Sequence, residues 1–164
     1  MLRQSQPPLQ KLTLGGRNMS EGEFIECLQA TPQLDYLSIT DIPFSDAILD
    51  ALTLIPCEDV SGGWRGLCPK MTVIWFMECP LSEEHLTRMI LSRRGPFCDQ
   101  IPEDDNTVHV SDEPLVLQSV SVSWCQVNPS LREDPKIAAF IADGLELEIY
   151  NGSNSPASSE AGGD

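Results

Sequence analysis

Met71-Thr72-Val73-Ile74-Trp75-Phe76 is a short apolar run of the form LxxLxL, with large apolar side chains at its first, fourth and sixth positions. The fourth and sixth positions are two apart, the period at which the side chains of an extended strand return to one face. Working outward, the same spacing recurs at Leu9-Gln10-Lys11-Leu12-Thr13-Leu14, Leu34-Asp35-Tyr36-Leu37-Ser38-Ile39 and Leu117-Gln118-Ser119-Val120-Ser121-Val122. A degenerate copy is Ala142-Asp143-Gly144-Leu145-Glu146-Leu147. Successive starts lie 25, 37, 46 and 25 residues apart. Recurrence at roughly 20 to 50 residues is the signature of stacked repeats, each burying its apolar face against its neighbours. Two intervals are of ordinary repeat length, and the other two carry roughly 12 and 20 extra residues, which composition places in loops.

Between strands the apolar period lengthens from 2 to about 3.6, as a strand followed by a helix requires. Ser20 with Glu23 predicts a capping box opening EGEFIECLQA, whose Phe24, Cys27 and Leu28 share one face. Ser45 is expected to cap a helix with Ile48, Leu49 and Leu52 inward, and Ser82 to cap EEHLTRMILS. In that third helix Glu83 and Glu84 fall in the first turn and Arg88, Arg93 and Arg94 at or beyond the end, matching the helix dipole. Asp134 and Pro135 open KIAAFIAD, and Gly144 follows as a left-handed stop. Turn-formers and charge mark two surface-loop inserts, at about 54–69 with SGGWRG and about 95–114 with EDDNTVHVSDEP. Residues 1–8 form an N-terminal extension, 9–150 the repeat domain, and the tail 151–164, NGSNSPASSEAGGD, is expected to be disordered for want of anything apolar to bury.

One stretch carries more than periodicity. Cys68-Pro69-Lys70-Met71 leads into the strand through Phe76, Cys79 follows three residues later, and Leu81-Ser82-Glu83-Glu84-His85-Leu86 comes next. This resembles the cysteine-containing class of leucine-rich repeat, with its CPxL lead-in, LxxLxLxxC strand and short helix. Thr31-Pro32-Gln33-Leu34 repeats the lead-in with threonine for cysteine. With Met89-Ile90-Leu91-Ser92-Arg93-Arg94 closing a helix and the irregular inserts, the chain resembles the C-terminal leucine-rich repeats of divergent fungal F-box proteins over roughly residues 9–150. The resemblance implies an α/β leucine-rich-repeat solenoid of about four to five irregular repeats, with short parallel strands on the concave face and helices on the outer face. It also implies recruitment of a substrate to a ubiquitin ligase. No LPxE opening with paired helices, the mark of the F-box itself, is found, and the eight residues before Leu9 are too few to hold one. The ligase-adaptor contact is therefore expected only if an F-box lies upstream. Alternatives are a structural or scaffolding repeat protein, or an incomplete fragment, with no ubiquitin link.

The bulk properties limit the partner. With 25 acidic against 10 basic side chains the net charge is -15, which repels phosphate backbones and anionic lipid. The expected partner is another protein, basic where charged, with no nucleic acid and no membrane. No signal peptide and no apolar stretch of about 18 residues is present, so an intracellular location, cytoplasmic or nuclear, is expected. The six cysteines, at 27, 57, 68, 79, 98 and 125, form no CxxC pair and are read as reduced thiols. The sequons at Asn18 and Asn151 are patterns that arise by chance.

If the second and third apolar positions of each strand point inward, the alternate residues face solvent. These are Lys11 and Thr13; Tyr36, Ser38 and Thr40; Val73, Trp75 and Met77; Ser119, Ser121 and Ser123; Glu146 and Glu148. Tyr36, Val73, Trp75 and Met77 are the candidate partner-binding residues, because Trp and Tyr are the usual anchors of protein interfaces. The alternative is that MTVIWFM is buried on both faces, with the 54–69 insert folded over it. Trp64, between glycines in that insert, is a further candidate contact, or else is tucked beneath its own loop.

Chemistry is expected to be absent. His85 falls in a first helical turn and His109 in an acidic insert, neither within a constellation. The spacing of Cys57, Cys68, Cys79 and His85 fits no zinc pattern, so no metal or other cofactor is expected. No GxSxG, GxxxxGK[ST], GxGxxG or HExxH string occurs, and the pairs Glu58-Asp59, Glu83-Glu84 and Asp104-Asp105 are adjacent in sequence, which suits solvation over acid-base catalysis; no catalytic residues are assigned. The run Glu103-Asp104-Asp105 with Asp112-Glu113 is either a docking loop for a basic partner or a solvated acidic loop.

Overall fold

A computed structural model describes residues 8–16, 19–43, 46–56, 64–95 and 115–151. The expectations for residues 1–7, Asn18, Ser45, Cys57, Cys98, Glu58-Asp59, the acidic run of the second insert with His109, and the tail from 152 lie outside the described residues. The elements run β1 (Lys11–Gly15), α1 (Glu21–Gln29), β2 (Tyr36–Thr40), α2 (Asp46–Leu52), β3 (Ile55–Pro56), β4 (Trp64–Arg65), β5 (Val73–Met77), α3 (Glu83–Arg94), β6 (Ser119–Ser123), a 3-10 helix (Pro129–Glu133), α4 (Pro135–Ala142) and β7 (Glu146–Tyr150). Five strands form one parallel sheet in the order β1-β2-β5-β6-β7, and β3 pairs antiparallel with β4 in a separate ribbon.

Every strand of the large sheet buries the same side. Leu37 and Ile39, Ile74 and Phe76, and Val120 and Val122 are fully buried, while Leu12 and Leu14 on the edge strand are half-buried. The same core takes Phe24 and Leu28 from α1, Ile48, Leu49 and Leu52 from α2, Leu86, Met89 and Ile90 from α3, and Ile137 from α4. One sheet face is thus covered by helices. Parallel sheets are usually covered on both faces; here most alternate positions carry Lys, Ser, Thr or Glu, which water solvates, and the aromatic and apolar ones stand on β2, β5 and β7.

The turn after each strand repeats too. Gly16, Asp41, Glu78 and Trp124, each just beyond a strand, all have positive φ, between 50° and 104°. Each donates its N–H to the last carbonyl of the next strand: Gly16 to Thr40, Asp41 to Met77, Glu78 to Ser123 and Trp124 to Tyr150, at 2.7–3.1 Å. The left-handed residue ends the strand while keeping its N–H in the ladder. A bulky side chain in that region is uncommon.

The fifth strand is displaced from its sequence-based alignment. Val120 pairs with Leu147 and Val122 with Ile149. The matched unit therefore begins at Gly144, two residues later than the Ala142 start expected from sequence. A slip of two preserves which side chains face inward, so Glu146 and Glu148 still point outward and Tyr150 joins them.

Among the described residues, the caps of α1 and α4 follow their signals and that of α3 does not. Ser20 and Glu23 form the capping box, and Asp134 accepts from the N–H groups of Lys136 and Ile137. Gly144 stands at φ +93° after α4. Ser82 precedes α3 but makes no side-chain cap. Its hydroxyl lies 3.1 Å from His85 Nδ1 instead, and its N–H donates to Asp46.

The C-terminal arginines stand in the last turn of α3, as expected, and both are buried. Arg93 is only 2% exposed and donates to the carbonyls of Leu52, Leu67 and Cys68. Burial lowers its guanidinium to about 10, still charged at neutral pH. Arg94 reaches Leu117 O and Asp143, with its guanidinium 5.6 Å from the Phe140 ring centroid. Arg93 thus ties both ends of the first insert to α3, and Arg94 ties α3 to Leu117, shortly before β6, and to the turn after α4. The closure is tight at Gly66, where φ is +140° and an added Cβ would lie 2.5 Å from Thr53 O.

Candidate functional site

The register lays the outward residues on a regular grid. One row is Lys11, Tyr36, Val73, Ser119 and Glu146; the next is Thr13, Ser38, Trp75, Ser121 and Glu148; the third is Gly15, Thr40, Met77, Ser123 and Tyr150. Adjacent strands are about 4.8 Å apart, so neighbours in a row stand side by side.

Four residues predicted as contacts, Tyr36, Val73, Trp75 and Met77, stand together on β2 and β5. Trp75 is 46% exposed, and the other three are half-buried. The Tyr36 and Trp75 rings meet edge-on, with centroids 5.6 Å apart and planes at 64°. That contact packs the indole against an aromatic neighbour on the adjacent strand. Of the two alternatives posed by MTVIWFM, the exposed arrangement is the one found at Trp75.

Trp64 is not among them. It belongs to the β3–β4 ribbon, opposite Pro56, and is half-buried there. The ribbon is rooted on the helical layer: Leu67 N–H donates to Ala51 O, and Leu54 N–H to Ser92 Oγ.

Two aromatic residues escaped the sequence reading. Trp124 is 57% exposed and Tyr150 68% exposed, joined by the hydrogen bond from Trp124 N–H to Tyr150 O. They occupy the corner beyond Ser123. Extending the cysteine-containing pattern to Leu117–Cys125 would have placed Trp124 opposite Glu78 at the strand end. Tyr150 was hidden by the displaced alignment of β7.

Charge is distributed unevenly over the face. Lys11 is its one base, on β1, whereas Glu146 and Glu148 stand exposed on β7 and have no ion pair or side-chain hydrogen bond among the described residues. Asp35 differs: its carboxylate accepts from the Thr72 hydroxyl. A depression of about 650 Å³ lies on the helical side, between α3 and the 3-10 helix. Of the acids lining it, Glu84 pairs with Arg88, Glu83 accepts from the N–H of Asn128 and Asp134 caps α4.

No family model, curated protein or solved structure matches this chain.

Three of the described thiols, Cys68, Cys79 and Cys125, are buried. Burial pushes Cys68 and Cys79 up to about 11 and raises Cys125, so at neutral pH they are protonated and poorly nucleophilic. Cys79 and Cys125 occupy equivalent places after β5 and β6, each directed at a strand carbonyl, and Cys79 N–H lies 3.4 Å from Cys125 Sγ. Among the described residues no group of three or more His, Cys, Asp or Glu could hold a metal ion, and no helix is long and apolar enough to cross a membrane. His85 sits between Asp46 and Asp50, at 3.4 and 3.7 Å, on the helical layer.

Proposed function

We propose that the chain is a leucine-rich-repeat solenoid whose concave sheet face binds another protein, with Tyr36, Val73, Trp75 and Met77 at the centre of the contact. The single observation that carries this is an exposed tryptophan packed edge-on against a tyrosine, on the central strand of the sheet, with Val73 and Met77 beside it on the open face. Burying a large apolar side chain on a partner gains free energy that water denies it, and such anchors dominate interface energetics. The repeating strand pattern, the parallel sheet in chain order and the recurrent left-handed turn support the solenoid. Through its resemblance to the repeats of F-box proteins, the bound protein would be a substrate presented to a ubiquitin ligase, provided that an F-box is encoded upstream.

The test is affinity capture from a lysate of the protein's own cells, beside a Tyr36→Ala/Trp75→Ala variant whose fold is checked by circular dichroism. A specific partner captured by the native chain and lost by the variant is expected. Ligase subunits in the same capture would support the ubiquitin link. Capture of the same set by both chains would contradict the proposed face.

A further inference from the structure

Resting on the binding face proposed above, we infer that its partner presents a cationic segment, Arg or Lys with small or apolar neighbours, which lies along β6 between Trp75 and Glu148. The geometry is that of a lane. Its floor is Ser119, Ser121 and Ser123, small hydroxyl side chains on the outward side of β6. One wall is Val73, Trp75 and Met77 on β5, and the other is Glu146, Glu148 and Tyr150 on β7, each residue in register across the floor. Two strand spacings place the walls roughly 10 Å apart, room for one extended segment. Trp124 stands at the strand end beyond Ser123.

The two walls make different demands on an occupant. Trp75 and Met77 are stabilised by apolar contact. The carboxylates of Glu146 and Glu148 must keep water or gain a cation, because desolvating an unpaired charge is costly. No base stands outward on β5, β6 or β7, and Lys11 is four strands from Glu146. A wholly apolar partner would strand the carboxylates, and an acidic one would be repelled by them and by the net charge of -15. A guanidinium meets both demands, stacking on an indole while pairing with a carboxylate, and a lysine does so less directionally. The serine hydroxyls can accept from the donors that remain.

The inference is tested by selecting random peptides about ten residues long, enough to overspan the strand, on the full chain. Peptides that also bind a Trp75→Ala variant are removed. Recovered peptides are expected to be enriched in Arg and Lys over the input. Their affinity should fall roughly fivefold to tenfold in Glu146→Lys/Glu148→Lys, as loss of two exposed ion pairs implies. It should hold in Glu26→Lys/Glu133→Lys, which makes the same charge change on exposed sites of the helical layer. Peptides that need Trp75 but show no basic enrichment, or that ignore the Glu146/Glu148 reversal, would overturn the cationic partner and leave the binding face standing. Equal weakening by both reversals would assign the attraction to overall acidity and overturn the lane. Recovery of no Trp75-dependent peptide would overturn both.

Discussion

The two sides of the same five strands differ in what they hold. On the inward side Leu37, Ile39, Ile74, Phe76, Val120 and Val122 are sealed against the helices; one residue further along, Tyr36, Ser38, Trp75, Ser121 and Glu148 meet solvent. Inward residues are alike from strand to strand because each must fill the same interior. Outward residues change from basic, through aromatic, to small, to acidic, because burial does not constrain them. Stability and recognition are thus segregated by parity along each strand, and substitutions on opposite sides should have separable effects.

The largest effect is expected from Phe76→Ala. Emptying that core site should destabilise the fold by about 4 kcal/mol, read from the urea midpoint. Its neighbour sharpens the comparison: Trp75→Ala should shift the midpoint by well under half as much. Arg93→Ala should follow at about 3 kcal/mol, since it leaves the carbonyls of Leu52, Leu67 and Cys68 without their shared donor. A midpoint unchanged in Arg93→Ala would mean that the ribbon's base is held by other contacts. On the outward side, Trp75→Ala should cost about 2 kcal/mol in partner affinity by calorimetry while far-ultraviolet dichroism stays native. A loss of both together would break the separation of the two faces.

Alkaline pH should strain the inward side alone. The raised Cys68 and Cys79 thiols stay protonated in the folded chain where the unfolded chain, near 9, has begun to ionise. The unfolded state then binds fewer protons, so thermal stability should decline as pH climbs from 8 to 10. Serine at both positions should flatten that decline. Ser20→Ala should give the smallest change, about 1 kcal/mol, by removing the capping box at the start of α1.

Much of this division was legible in the sequence. Period-2 alternation flanked by helical periodicity located the first four strands of the large sheet and their outward residues, because burial on one face leaves that signature directly. The capping box at Ser20 and the stop at Gly144 were legible for the same reason: each is a local device written in a few adjacent residues. Arg93 and Arg94 were not, since an arginine at a helix end satisfies the dipole whether it points to water or to carbonyls on distant segments. Trp124 was missed because its place follows from the turn after β6 and not from strand alternation. The alignment of β7 failed where Ala142 mimicked an apolar first position that the structure assigns to Gly144.

The central claim is that the open sheet face, and not the helical layer, meets the partner. Site-directed photocrosslinking in cells tests it directly, with a photoreactive amino acid at Ser121, beside Trp75 on the open face, or at Glu133 on the helical layer. A discrete protein adduct from position 121 and none from 133 is predicted. The same adduct from 133 alone, or equally from both positions, would contradict the assignment.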